Sequence, residues 1–163
     1  MNPYKILGIS ESSSTEEIRN AYSNIIEKYS IKNAENDAEK NLFSNKLNEA
    51  NEAFRLITNM ITCEEVRDLI DQDDFITAES KLNLISDYSS AEWNYLKGIL
   101  LIKKGCIDSG VTHIRKSISI NPYNEEYTNS LKKINIKLKS GRNAYSKSLK
   151  SPFSLLSLFT RKK

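Results

Sequence analysis

Few side chains in this sequence combine the types and spacings that chemistry needs. His113 is the single histidine. Neither a cysteine nor an aspartate stands at a catalytic interval from it, so a surface or half-buried structural role fits better than a general base or a metal ligand. The two cysteines, Cys63 and Cys106, form no Cys-x-x-Cys pair and with one histidine are too few for a structural zinc site. Both are expected as small buried hydrophobes at helix edges. Asp71-Gln72-Asp73-Asp74 lacks the glycine and the closing bidentate glutamate of a calcium loop, and it predicts a helix end and a turn. There is no glycine-rich phosphate loop and no nucleophile elbow. The expectation is therefore no catalytic residue, no metal and no cofactor; the sequence points to surfaces rather than to a reaction.

The charge is unevenly divided. The whole chain carries +3, yet residues 132–163 hold ten Lys/Arg and no acid, leaving −7 on residues 1–131. An acidic body with a basic end is unlike a nucleic-acid-binding domain, whose basic patch lies on the fold. Apart from Tyr145 and the distal Phe pair, no stacking aromatics interleave with the basic segment's cations, so nucleic acid is not an expected partner. Residues 140–163 alternate serines with Lys147 and Lys150, and then Phe153, Leu155, Leu156, Leu158 and Phe159 place five large apolar residues within seven positions. A serine-rich basic segment is ordinarily solvated and disordered. The cluster instead predicts an anchor, at an anionic membrane surface or in a protein groove. It is too short to span a bilayer, and no run elsewhere approaches the roughly 18 apolar residues of a span. No apolar stretch follows Met1-Asn2-Pro3-Tyr4-Lys5, so no signal peptide is expected. The cysteine usage suits a reduced setting. The expected location is cytoplasmic, peripheral at a membrane where the tail attaches.

These features must be positioned by helices. With 163 residues, 39% hydrophobic and 28% charged, a mean hydropathy of −0.52 and only five Gly and three Pro, the chain favours long helices around a thin core. A short helix or turn is expected over residues 3–8. Ser14 and Glu17 have capping-box spacing. Ile18, Tyr22, Ile25 and Tyr29 then recur at helical intervals, and Phe43, Leu47, Ala50, Phe54 and Ile57 do so again after a possible Asn36–Glu39 cap. Two such stripes joined by a short loop bury each other as an antiparallel hairpin.

The opening Asn2-Pro3-Tyr4-Lys5-Ile6-Leu7-Gly8-Ile9 resembles the "PYxxLGv" start of J-domains. Glu17-Ile18-Arg19-Asn20-Ala21-Tyr22 is similar to their "eIkkAY", and Asn51-Glu52-Ala53-Phe54 to their "NEAY". The resemblance covers residues 2–58 and implies the J-domain fold. It also implies a partner, a seventy-kilodalton heat-shock chaperone whose ATPase the family stimulates. The family does this through a His-Pro-Asp tripeptide after its second helix and a basic face on that helix. Here the tripeptide positions carry Ser30, Ile31 and Lys32, so a cation stands where the family has a carboxylate. Residues 16–28 hold two positive and three negative side chains. The expected function is therefore a non-catalytic interaction or scaffold protein; the alternative is a J-domain co-chaperone that still engages the heat-shock chaperone weakly through other contacts.

Residues 91–122 resemble a tetratricopeptide repeat, a helix pair of 34 residues. Gly98, Gly105, Gly110, Ser117 and Pro122 fall at the repeat's glycine, turn, small-residue and proline positions. A weaker copy precedes it, with Val66, Leu69 and Ile70 in one stripe, a turn at Asp73-Asp74, and Leu82 and Ile85 on a second helix. The later helices are expected over Ala91–Gly105, Val111–Ile120 and Asn124 to about Lys139, the last a capping helix ended by Ser140-Gly141. The chain thus divides into residues 1–60 (J-like), 61–139 (tetratricopeptide-like repeats with a cap) and 140–163 (tail), all-α throughout, with the repeats leaning on the J-like helices. By resemblance Glu92, Tyr95, Ile99, Ile102 and Lys103 line a concave groove for a protein or peptide partner; equally, they pack against the J-like helices.

Overall fold

A computed structural model of the chain describes residues 2–145, with side chains through Ser140. The fold is all-α, with seven helices and no strand among the described residues. They are α1 (Pro3–Leu7), α2 (Thr15–Lys28), α3 (Asp37–Asp71), α4 (Phe75–Leu82), α5 (Ala91–Lys103), α6 (Ile107–Ile120) and α7 (Glu125–Tyr145), with a 3-10 turn at Ile31–Asn33. The chain divides into two compact units, Met1–Ile61 and Thr62–Lys163.

In the first unit each helix start is built from local chemistry. The Asn2 side chain accepts from the amides of Tyr4 and Lys5, Pro3 occupies the first turn, and Gly8 closes α1 in the left-handed region at φ +71°. Ser14 and Glu17 form the complete capping box of α2. Asn36 Oδ1 accepts from the Glu39 amide at the start of α3. The aromatic pairs fix the direction of packing. Tyr22 stacks on Phe54 at 4.3 Å and donates to Asn51 Oδ1 at 2.7 Å, while Tyr29 meets Phe43 edge-on at 5.4 Å. Later positions on α2 therefore face earlier positions on α3, which makes the pair antiparallel. Leu7, Ile18, Ala50, Ala53 and Ile57 are the buried centre of this unit.

In the second unit α5 is the axis. Nine of its residues between Trp93 and Lys103 are buried, as expected of a helix that is apolar almost all round. A Cβ on Gly98 would meet Ile114 Cγ1 at 2.7 Å and the Gly110 carbonyl oxygen at 2.8 Å. A Cβ on Gly110 would meet Ile102 and the Gly98 carbonyl in turn. The two glycines thus let α5 and α6 approach to backbone contact. Ser117, also on α6, is fully buried and donates to the Ile114 carbonyl at 2.7 Å. Tyr127 of α7 stacks on Tyr95 at 4.6 Å. Trp93 Nε1 donates to the Leu82 carbonyl at 3.0 Å, satisfying an end carbonyl of α4.

Four boundaries differ from those expected. α3 does not stop near residue 60 but continues to Asp71, since Ile61, Cys63, Val66 and Ile70 carry the apolar spacing onward. α4 ends at Leu82, so Ile85 is buried from a turn rather than from the helix. α6 begins at Ile107, four residues before Val111. α7 passes through Ser140-Gly141 to Tyr145. A helical glycine costs about 1 kcal/mol, too little to end a helix by itself. Asp71–Asp74 is a helix end and turn as expected, with Asp73 at φ +60° and Asp74 capping α4 through the Thr77 amide.

Candidate functional site

In the first unit, α1, the C-terminal end of α2 and the middle of α3 enclose a cleft of about 610 Å³. Its floor is apolar, formed by Ile6, Leu7, Ile25 and Ala50, and Tyr29 adds a ring. The remaining charged lining is three lysines and one carboxylate, Glu49. Lys5 comes from the last turn of α1, Lys28 from the last residue of α2, and Lys46 from α3. Lys46 pairs with Glu49 at 2.9 Å, which raises its pKa, while Lys28 lies 5.3 Å from the centre of the Tyr29 ring. Lys5 and Lys28 are exposed, and neither has a salt bridge among the described residues. An apolar floor with a few charged groups at its edge is the usual composition of a recognition site. Composition gave no sign of this site, because its three lysines come from three separate elements.

Ser30, Ile31 and Lys32 follow α2 directly, with Ile31 and Lys32 on the 3-10 turn. Lys32 is exposed, and Ile31 is 50% exposed. The Asn33 amide donates to the Ser30 carbonyl at 2.9 Å, so the turn is held by backbone bonds.

The five groove candidates occupy other positions than an open lining requires. Tyr95, Ile99, Ile102 and Lys103 are buried in the second unit and Glu92 is half-buried. Tyr95 is covered by Tyr127 and shares a hydrogen bond with Ser130 at 2.9 Å. Ile102 is enclosed where α5 meets Gly110. Lys103 donates to the Ile70 carbonyl at 3.2 Å and pairs with Asp73 at 3.0 Å. It thereby satisfies the end of α3 and holds the left-handed turn. Glu92 accepts from Arg67 Nε at 2.8 Å and from the Tyr127 hydroxyl at 2.7 Å. The groove expectation fails for a physical reason legible in α5 itself. A helix with apolar residues on every face needs neighbours on every face.

Arg67, which sequence reasoning passed over, organises this region. It binds Glu92 and reaches Glu126 with two nitrogens at 2.8 and 3.1 Å, and it lies 5.4 Å from the Tyr95 ring centre. Burial lowers its pKa, but the hydrogen bonds and charges of Glu126 and Glu92 outweigh that and raise it. Burial and the bond to Glu92 push the Tyr127 hydroxyl upward, and burial does the same for Tyr95. The signal available was a lone cation on the apolar stripe Cys63, Val66, Ile70. These groups bond to one another.

His113 is half-buried, as expected. Its Nδ1 lies 3.1 Å from Asn94 Oδ1 and its ring meets Trp93 edge-on. Burial, then Lys116 and Lys97, lowers its pKa. Of the cysteines, Cys63 is buried mid-helix, with its thiol pushed up to about 12 by burial. Cys106 is exposed as the cap residue of α6, so the expectation of two buried cysteines at helix edges fails on burial for Cys106 and on position for Cys63. No group of three or more His, Cys, Asp or Glu that could hold a metal occurs among the described residues. None of the described helices is long and apolar enough to cross a membrane. The tail anchor Phe153, Leu155, Leu156, Leu158 and Phe159 lies outside the described residues. No family model, curated protein or solved structure matches this chain.

Proposed function

We propose that this chain is a non-catalytic interaction protein. In this reading a J-like unit and tetratricopeptide-like helix pairs form a helical scaffold, and the basic tail sets location by peripheral contact with a membrane from the cytoplasm. The observation that carries the reading is the cleft of the first unit, with its apolar floor and lysine rim open to solvent. The polar groups of the second unit support it, because Arg67, Glu92, Glu126 and Tyr127 bond to one another rather than to a vacant space. The heat-shock chaperone is not the partner favoured here. A family carboxylate that meets a partner's arginine is replaced by the exposed cation Lys32, which repels it.

Two measurements test the proposal. In a single-turnover assay the full chain is expected to leave a cognate chaperone's ATPase unstimulated, and stimulation like that of an intact J-domain overturns the reading. Cross-linking in native extract, with and without residues 140–163, is expected to identify a protein held by the body of both forms. Failure of both forms to hold any protein overturns the scaffold reading.

A further inference from the structure

The first unit carries seven Lys/Arg against nine Asp/Glu, yet three of the seven cations rim one cleft. We propose that this cleft binds an acidic peptide segment of a partner protein, seating a large apolar side chain on Ile6 and Ile25 and its flanking carboxylates on Lys5 and Lys28. The inference rests on the interaction reading above and names the chemistry of its partner.

Three features select that occupant. Lys5 and Lys28 are exposed, and neither forms a salt bridge among the described residues, so their charge is available. Lys46 is already held by Glu49, which also lines the cleft, so the available charge is that of Lys5 and Lys28. The remainder of the unit has four cations against eight carboxylates. Within this unit, the excess of carboxylates outside the cleft makes the cleft the favoured position for an acidic segment. The floor excludes a bare anion as the best fit, since an inorganic ion would leave Ile6 and Ile25 uncovered. The concavity disfavours a bilayer, whose flat face cannot bring headgroups and apolar matter together into a recess of about 610 Å³. A peptide supplies both parts at side-chain spacing. Attraction between exposed charges of this kind is modest and screened by salt, so the complex is reversible.

The test is a titration of full-length, isotope-labelled protein followed by amide resonances. The probe is the blocked peptide Asp-Leu-Asp-Glu-Leu-Phe-Asp-Glu. Its comparison is the same peptide with Asn and Gln replacing the acids. The acidic peptide is expected to shift the amides of Gly8, Lys28 and Tyr29, and to bind at least about tenfold more tightly than the neutral one. Raising the salt is expected to weaken it. The double variant Lys5→Glu/Lys28→Glu, at two exposed positions, is expected to keep its folded spectrum and lose binding by at least about tenfold. The charge-matched variant Arg19→Glu/Lys40→Glu is expected to bind within about twofold of the parent. Equal binding of the two peptides, unchanged Gly8 and Tyr29 signals, or an equal loss in both double variants overturns the proposal. So does inorganic phosphate, or phosphatidylserine vesicles, reproducing the same shifts without peptide. A chain that holds a protein in extract yet ignores the acidic peptide overturns only the cleft assignment.

Discussion

Replacing Gly98 by alanine sets two well-known effects against each other, and the structure decides the sign. In an exposed helix interior Gly→Ala stabilises by about 1 kcal/mol, through backbone entropy and helix propensity. Here the new methyl would stand 2.7 Å from Ile114 Cγ1, 2.8 Å from the Gly110 carbonyl oxygen and 3.1 Å from the Ile114 amide. Two of those atoms are backbone of α6, and the third belongs to a side chain with no exposure, so none can step aside without moving the helix. Overpacking of this kind costs about 3 kcal/mol at the upper end of its usual range. The net is a destabilisation of about 2 kcal/mol. Trp93, the single tryptophan, is buried in the second unit and reports its unfolding by fluorescence. With slopes of about 1–3 kcal/mol/M, the urea midpoint should fall by about 1 M. Gly105→Ala isolates the other kind of cost. Its Cβ would touch nothing within 4 Å, but φ is +89°, so about 1–2 kcal/mol is lost to the left-handed backbone alone. A Gly98→Ala protein that is more stable than the parent refutes the claim that α5 and α6 meet at backbone contact.

Glu79 sits between Lys97 at 2.9 Å and Lys104 at 2.6 Å, and bonds to Lys104 and then Lys97 hold its carboxyl down at about 2. A depressed folded-state carboxylate stabilises above its unfolded value and loses that as pH falls through the folded one. Wild type should therefore lose about 1 kcal/mol more than Glu79→Gln between about pH 5 and pH 2, the magnitude being limited by solvent screening; parallel urea midpoints across that range would contradict it. A thiol reagent should modify one cysteine per native chain, the exposed Cys106, and two in urea, because Cys63 is buried with its thiol pushed up to about 12; mass spectrometry checks this, and rapid native labelling of Cys63 would refute it. Tyr127→Phe removes the bond donated to Glu92 at 2.7 Å and should cost about 1 kcal/mol in urea, with a neutral effect refuting the lock around Arg67.

The local signals lay in the sequence because they act within a turn of helix. The Ser14–Glu17 box and Asn36 were legible as helix starts, since each cap is an interaction between residues three apart. The stripes on α2 and α3 and the glycines at 98 and 110 were legible for a related reason: their spacing or size constrains any partner helix. The tertiary structure alone decided which of those faces were covered. Tyr95, Ile99 and Ile102 have the same composition whether they line a groove or fill a core, and only Tyr127, Ile114 and their neighbours, brought from tens of residues away, made them core. Cys63 and Cys106 likewise look alike in sequence, but one is enclosed and the other stands at a helix start. Lys5, Lys28 and Lys46 are ordinary surface lysines when read along the chain. They become a rim because the helical hairpin and α1 bring three separate elements around one recess. Burial and electrostatic potential are sums over spatial neighbours, so they are set by the fold and not by any short stretch of residues.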